Sequence, residues 1–485
     1  MRRGSPTLTV LVVFHWAVAG TWGGRPSVAA DAGKAVGAWE GHAFAQPPDL
    51  FPILPWDRLH GWKEPFRNPQ QGLESIAQCG FTLAGFVTPE DLPRCEKLGL
   101  AAIMAPLRGQ KPWRQMSDEE IDRAVRRMVE VAGSSKAVFG YYLMDEPGAP
   151  AFPALGKAVA AVKKHAPGKL AYINLFPSYA TVGAPDQSQL GTASFTEYLE
   201  RFVTEVKPQL LSYDNYMVQY SDDMQDPARA AIYYRDLLEV RRVAQKYNLP
   251  FWNIVSCNQI RPQTTVPSPA NLAFQAYTTL AAGGRGVSWY KYYQDGYAYA
   301  PVDNRDRRTE TWQYLQVVNM QLRTLGPIMG RFQSTGVFFT SPPPVPSLPL
   351  LPGRIIRQVQ SRASPRGITK VSPPLMVGEF ADAHGAEYVM IVNLSLQHSA
   401  HIGLETVRAC HAKHILSAAD GRLQPFDEKN GHWLVAGTGA LIKLEWVPAK
   451  DAVGGEGKTA EQGSHTSTTR AQDTQHYRRI MAGRS

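Results

Sequence analysis

Phe139-Gly140-Tyr141-Tyr142-Leu143-Met144-Asp145-Glu146-Pro147 is an apolar, aromatic run that leads into two carboxylates and a proline. Aromatic and aliphatic residues favour a buried strand, and Pro147 cannot continue the hydrogen-bond ladder of a strand. The pattern predicts that Asp145 and Glu146 lie at the carboxyl end of a strand, where parallel α/β barrels place their chemistry. The structural alternative is that Asp145 caps the next helix and Glu146 pairs with an arginine.

Short apolar runs alternate with longer amphipathic segments as far as about residue 330, and this alternation predicts a parallel sheet. The candidate strands number about eight, which is the number that closes a barrel. They are Phe51 to Trp56, Phe81 to Val87, Leu100 to Ala105, Val138 to Met144, Leu170 to Phe176, Leu210 to Tyr216, Phe251 to Val255 and Gly286 to Tyr292. A doubly wound open sheet has the same alternation, but no Gly-rich phosphate loop follows any of these strands.

Helix signals lie between the candidate strands. Ser117 followed by Glu120 forms a capping box that opens a helix from Ile121 to Ala132. Further helices are expected at residues 154–165, 228–247, 272–282 and 311–325. The pattern therefore predicts a (β/α)8 TIM barrel over residues 45–335.

The part of the chain after the barrel differs in composition and periodicity. Residues 336–353 include the stretch Ser-Pro-Pro-Pro-Val-Pro-Ser-Leu-Pro-Leu-Leu-Pro-Gly, which favours a stiff extended connector. Residues 354–447 contain strand patterns without intervening helices and predict a small β-sandwich domain. Residues 448–485 are rich in polar and small residues and are expected to be disordered.

The N-terminus has the layout of a secretory signal peptide over residues 1–30, with Met1-Arg2-Arg3, an apolar centre and small residues near the expected cleavage point. We expect a secreted or periplasmic protein with no membrane segment in the mature form; an uncleaved anchor is the alternative. The four cysteines are widely spaced. Cys79 and Cys95 are expected either to pair or to be buried free thiols.

Polar side chains follow the predicted strands at the edge where a barrel opens. Asp145 and Glu146 end the fourth strand, and Asp214 lies on the sixth between aromatic residues. Amides and rings that we expect to contact a substrate are Asn174, Tyr213, Trp252, Asn253, Trp289 and Tyr292. Rings stack on pyranose faces while amides and carboxylates bind hydroxyls, so the set indicates a sugar site. The structural alternatives are a salt bridge or helix cap for Asp214 and filling of the barrel core for Trp289, Tyr290 and Tyr292.

Cleavage of a glycosidic bond requires an acid with a raised pKa and a second carboxylate that acts as base or nucleophile. We assign Glu146 as the acid, Asp214 as the second carboxylate and Asp145 as a neighbour that orients. Successive strand residues point to opposite faces, so Asp145 and Glu146 both enter the lumen only if the strand breaks at Pro147.

Several other classes of function are not indicated. The net charge of +9 is scattered rather than clustered, so no nucleic-acid partner is expected. The histidines do not have the spacing of metal ligands, so no metal is expected. The sequence has no Gly-x-Ser-x-Gly motif, so a serine hydrolase is not expected either. No cofactor is implied, because proton transfer and carboxylate chemistry suffice.

These residues resemble the retaining glycoside hydrolases of clan A, and in particular family 42 β-galactosidases. The resemblance rests on Leu143 to Pro147, where the clan has Asn-Glu-Pro, and on the closing segment Tyr314 to Pro327. It covers about residues 50 to 335 and implies a (β/α)8 barrel with a following β-domain, a carbohydrate substrate, and Glu146 as the acid/base. The clan also has an asparagine before the acid and a nucleophilic glutamate on the seventh strand. This sequence has Asp145 at the first position and no acid in Phe251 to Asn258.

Three interpretations follow from this departure. In the first, Asp214 replaces the nucleophile or acts as the base of an inverting reaction. In the second, Asp145 and Glu146 resemble the dyad of substrate-assisted hexosaminidases, in which the acetamido group of the substrate attacks the anomeric carbon. In the third, the protein binds carbohydrate without cleaving it. Overall the sequence predicts a secreted barrel hydrolase acting on a plant, algal or microbial polysaccharide or its oligosaccharides.

Overall fold

The computed structural model describes residues 47, 49–56, 72–224, 226–294, 296–362 and 372–447. The predicted signal peptide and the predicted disordered tail lie outside these residues.

Eight parallel strands form the first domain, in the order β1-β8-β7-β6-β5-β4-β3-β2. β1 pairs with β8. Thr82 joins β1 to β2, because its hydroxyl accepts from the Ile53 amide at 2.8 Å and its own amide donates to the Ile53 carbonyl at 3.3 Å. The strands are β1 Ile53–Pro55, β2 Leu83–Val87, β3 Ala101–Met104, β4 Val138–Asp145, β5 Leu170–Leu175, β6 Leu211–Asp214, β7 Phe251–Ser256 and β8 Gly286–Tyr290. Every strand predicted for the barrel is confirmed.

Helices alternate with these strands and cover the barrel. In the described part of the chain they are α1 Leu73–Gln78, α2 Leu92–Leu98, α3 Asp118–Ala132, α4 Phe152–His165, α5 Phe195–Arg201, α6 Pro227–Lys246, α7 Pro269–Ala281 and α8 Glu310–Met329. α3 begins with the predicted capping box, in which the Ser117 hydroxyl accepts from the Glu120 amide. None of the described helices is both long and apolar enough to cross a membrane. Cys79 and Cys95 are buried free thiols, which was one of the two expected outcomes.

The second domain is built from two antiparallel sheets, as predicted. β9 Gln333–Phe339 pairs with β11, Leu375–Ala381, so this domain includes a strand that lies ahead of residues 354–447, the range predicted for it. The other strands are β10 Ile356–Arg362, β11 Leu375–Ala381, β12 Glu387–Asn393, β13 Ala400–Thr406, β14 Cys410–Leu416, β15 Leu423–Pro425, β16 His432–Leu434 and β17 Gly439–Trp446. Six strands form one sheet and β10, β13 and β16 form the other. Alternate residues such as Val377, Ile391 and Ile402 fill the space between the sheets.

The β-domain is attached to the barrel through α7 and through the loop after β6. A methyl group on Gly378 would lie 2.1 Å from the Ala281 carbonyl oxygen, and one on Gly437 would lie 2.0 Å from that of Ala270, so both glycines allow close backbone contact with α7. Asp223, in the loop after β6, accepts hydrogen bonds from Ser395 Oγ at 3.0 Å and from the amide of the next residue at 2.7 Å. The second domain therefore supports the side of the barrel that carries β6 and β7.

Candidate active site

Asp145 and Glu146 lie where β4 ends, as predicted. Asp145 is the last residue of the strand, and Glu146 has a φ of +44°. This left-handed conformation breaks the alternation of side chains, at a cost of about 1–2 kcal/mol for a residue with a Cβ atom. The Glu146 amide donates to the Asn174 carbonyl of β5 at 2.9 Å, which fixes the break. Asp145 is exposed and Glu146 is half-buried.

Asp214 is the last residue of β6 and is buried. Its carboxyl group is hydrogen-bonded to the carboxyl of Glu146 and accepts a hydrogen bond from the Tyr216 side chain. The Asp214 Oδ1 atom is buried and has no hydrogen-bond partner with donor geometry among the described residues. The structure thus brings all three predicted carboxylates together at one mouth of the barrel.

The electrostatics of this cluster favour bound protons. Burial, and next the neighbouring Asp145 carboxylate, raise the pKa of Glu146 to about 7, although the hydrogen bond with Asp214 partly offsets the rise. Burial is the main reason that the pKa of Asp214 lies well above its usual range, and the charges of Glu146 and Asp145 raise it further. Two carboxyl groups that are hydrogen-bonded to each other cannot both be ionised at low cost, so the pair keeps a proton near neutral pH.

A chain of hydrogen bonds orients Asp145 from the neighbouring strands. Asn174 Nδ2 donates to Asp145 Oδ1 at 3.1 Å, and Ser212 Oγ donates to Asn174 Oδ1 at 3.2 Å. Tyr172 lies within hydrogen-bond distance of Ser212, with 3.1 Å between the hydroxyl oxygens. The predicted residue Asn174 therefore belongs to the site, where it acts on Asp145.

Aromatic side chains that were not among the predicted substrate contacts line the same mouth. The rings of Tyr216 and Tyr290 have centroids 5.0 Å apart. Tyr290 and Tyr297 are hydrogen-bonded through their hydroxyls at 2.7 Å, and the Lys291 ammonium lies 5.7 Å from the centroid of the Tyr297 ring. The signal for Tyr216 was available, because it follows Asp214 by two residues, the period of one strand face.

Four of the predicted contact residues lie on the outer side of the strands, against the helices, and are not brought to the mouth. Tyr213 is fully buried in this layer. Asn253 Nδ2 donates to Thr279 of α7 at 3.0 Å, and Trp289 Nε1 donates to Asn319 of α8 at 2.8 Å. Side-chain alternation explains the placement of Tyr213 and Asn253, which are register partners in β6 and β7.

The fourth outward residue is Tyr292, whose hydroxyl is 2.7 Å from that of Ser75 and accepts from Trp312 Nε1 at 3.1 Å. Trp252 lies instead inside the barrel and is 1% exposed. Its ring stacks on Phe139, with centroids 6.2 Å apart. Trp252 therefore fills the core of the barrel and is not a surface for substrate.

Fold and site together define a (β/α)8-barrel protein with a proton-retaining carboxylate cluster at the C-terminal mouth. The chain is similar in structure to the family 42 β-galactosidase Gan42B from G. stearothermophilus, with a TM-score of 0.51 and 8% identity over 82% of this chain and 98% of that one. This likeness confirms the predicted fold.

Two further structures are similar at lower TM-scores. A glycoside hydrolase family 5 protein from Bacteroides vulgatus gives a TM-score of 0.48 and 12% identity over 82% of this chain and 89% of that one. A β-galactosidase from the psychrophilic Marinomonas ef1 gives 0.41 and 11% identity over 57% of this chain and 60% of that one. No family model matches the sequence, and a search of curated proteins gives no match.

Proposed function

We propose that the protein is a secreted glycoside hydrolase in which Glu146 is the general acid. The observation that carries the proposal is the hydrogen bond between the carboxyls of Glu146 and Asp214 at the barrel mouth, with the pKa of Glu146 raised to about 7. A carboxyl that keeps its proton near neutral pH can donate it to the leaving oxygen of a glycoside.

The surroundings of Glu146 suit a sugar. Tyr216 and Tyr290 present half-buried rings beside the carboxylates, and rings of this kind stack on pyranose faces. Asp145 is exposed and held by Asn174, so it can accept a hydrogen bond from a bound substrate. Export of the protein is part of the proposal and is supported by the signal-like N-terminal sequence alone.

A narrower candidate is a substrate-assisted reaction on a 2-acetamido sugar. The observation that favours it is the direct contact between Glu146 and Asp214. Acid and nucleophile of retaining enzymes are separated by about 5–5.5 Å, and acid and base of inverting enzymes by about 6.5–9.5 Å. The hydrogen bond between the two carboxyls supports a role for Asp214 in holding Glu146 over a role as nucleophile.

In this candidate Glu146 protonates the glycosidic oxygen as the bond to the anomeric carbon breaks. The acetamido carbonyl oxygen of the substrate forms the new bond to that carbon, and Asp145 orients the acetamido group. Water, deprotonated by Glu146, then opens the cyclic intermediate and restores both the substituent and the proton on Glu146.

The test is a screen of the purified protein against aryl glycosides, including 2-acetamido sugars, and against polysaccharides, run beside Glu146→Gln. Turnover that falls about 10²–10⁴-fold in the variant supports the proposal. Glu119→Gln, an exposed change in the first turn of α3, is the control and should leave turnover unchanged. Binding without turnover in both forms would instead indicate a carbohydrate-binding protein, and absence of both would reject a carbohydrate function.

A further inference from the structure

Asp236 is a buried carboxylate outside the cluster described above. It lies on α6 and is 1% exposed. Its Oδ2 accepts from the Ser178 amide at 3.2 Å and from Asn215 Nδ2 at 2.9 Å. One helix side chain therefore binds two segments of the barrel mouth, the one after β5 and the one after β6.

The Asn215 bond reaches Asp214 through the backbone. Asn215 is the residue after Asp214, and its amide donates to the Ile254 carbonyl of β7 at 2.9 Å. Its Oδ1 accepts from the Met217 amide at 3.0 Å. Asn215 therefore makes hydrogen bonds through Nδ2 to Asp236, through Oδ1 and through its backbone amide. Together these three bonds fix the position at which β6 ends.

The Ser178 bond reaches Asp214 by a second route. The next residue, Tyr179, has a hydroxyl that accepts from the Tyr216 amide at 3.3 Å. Tyr216 in turn donates its side-chain hydrogen bond to Asp214. Both routes begin at the Asp236 carboxylate and end at the same catalytic-site carboxyl.

We propose that Asp236 is a positioning residue that clamps the segments after β5 and β6 and so holds Asp214 against Glu146. The inference rests on the proposed function for its catalytic consequence, but its geometric consequence is independent of any substrate. Removing the acceptor leaves the buried Asn215 amide group and the half-buried Ser178 amide without this partner, and Asp214 is released from the geometry in which it bonds Glu146.

Asp236→Ala and Asp236→Asn separate this role from simple packing. The amide oxygen of asparagine can accept both hydrogen bonds, whereas alanine accepts neither. We expect kcat/KM to fall about 10- to 100-fold in Asp236→Ala, as for a small misplacement of a reacting group, and to stay near wild type in Asp236→Asn. Tyr233→Phe is the control, because it removes a buried hydrogen bond to Thr278 from the same helix without touching either mouth segment.

The second readout is the pKa of Glu146, followed by NMR of ¹³C-labelled glutamate carboxyls and assigned with Glu146→Gln. The Asp214 hydrogen bond lowers this pKa, so Asp236→Ala should raise it above that of the wild type while Asp236→Asn and Tyr233→Phe leave it in place. If Asp236→Ala does not fold, Asn215→Ala removes the hydrogen bond between Asn215 and Asp236 by deleting its donor. It should raise the pKa of Glu146 in the same way.

A folded Asp236→Ala or Asn215→Ala protein with an unchanged pKa of Glu146 would overturn the proposal, as would an Asp236→Asn protein as impaired as the alanine variant. If the wild type cleaves no glycoside, the proposed function fails, yet the titration still decides the positioning role.

Discussion

Glu146, which follows β4, and Asp214, which ends β6, share a hydrogen bond although β5 lies between the two strands. A hydrogen bond between two carboxyls requires that one of them carries a proton. Because burial raises the pKa of both groups, the proton persists into the neutral range. The mouth of the barrel therefore retains a proton near neutral pH, as the proposed general acid requires.

The pH dependence of activity follows from this proton. In the proposed mechanism Glu146 acts when protonated, and burial raises its pKa to about 7. We expect kcat/KM to be highest on the acid side and to fall about tenfold per pH unit above about pH 7. The check is to measure kcat/KM against pH for two aryl glycosides. One has a strongly basic leaving group, and the other, used for comparison, has a weakly basic one. Because a leaving group of that kind needs little protonation, its profile should be flatter; an equal fall for both substrates would contradict the role of Glu146 as acid.

Asp145→Asn distinguishes the substrate-assisted reaction from a reaction with a protein nucleophile. If Asp145 orients an acetamido group, the change should lower kcat about 10²–10⁴-fold on an aryl 2-acetamido glycoside. The 2-hydroxy analogue should be a poor substrate for both proteins. Asp186→Asn is the control, since that exposed carboxylate pairs with Arg114. Full activity of Asp145→Asn on the acetamido sugar would return Asp214 to the role of second catalytic carboxylate.

The same pKa shifts predict how stability depends on pH. Burial raises the pKa values of Glu146 and Asp214, whereas unfolded carboxyls titrate at about 4. Above about pH 4 these two groups therefore bind more protons in the folded protein than in the unfolded chain, so their contribution to stability falls as the pH rises to about 7 and beyond. Urea unfolding at several pH values should show this fall, and Asp214→Asn should reduce it.

Asp122 provides a control of opposite sign. Hydrogen bonds from Lys164 and His165 lower the pKa of Asp122 to about 2. Its contribution to stability is present above pH 4 and is lost as the pH falls toward 2. Asp122→Asn should leave the slope between pH 4 and pH 7 unchanged. An equal slope in wild type and Asp214→Asn would show that Asp214 is not buried in protonated form.

The fold was predictable because the period of the apolar residues and the punctuation of helices are local signals. Ser117 with Glu120 marked the start of α3, and Pro147 marked the end of β4. The carboxylates were also predictable, because the ends of parallel strands meet at one mouth. The side of the strand on which Tyr213 and Trp289 lie was not predictable. These strands are buried on both faces, and an aromatic side chain can pack on either one.

Other features of the site depend on contacts that no local pattern contains. The left-handed conformation of Glu146 is set by the Asn174 carbonyl of another strand. The contact of Glu146 with Asp214 depends on the register of three strands. Asp236 did leave a signal, because it is a carboxylate next to Leu237 and three residues after Tyr233, on the face of α6 that is buried.

Gly437 provides a test of how the β-domain is attached to the barrel. It has a φ of +71°, and a methyl group on it would lie 2.0 Å from the Ala270 carbonyl oxygen of α7. Gly437→Ala should therefore lose stability from two sources, about 1–2 kcal/mol for the left-handed backbone and about 1–3 kcal/mol for overpacking. The free energy of unfolding in urea measures the sum.

Gly385→Ala isolates the backbone contribution. Gly385 has a φ of +81°, and a methyl group there would meet no atom within 4 Å. This variant should lose only the stability that the left-handed backbone costs. Gly385 has the same kind of conformation as Gly437, but its methyl group would have open space around it. The difference between the two variants then reports the contact with α7 alone. Equal losses would mean that α7 and the β-domain separate at little cost, and that the second domain does not brace the helix behind β7.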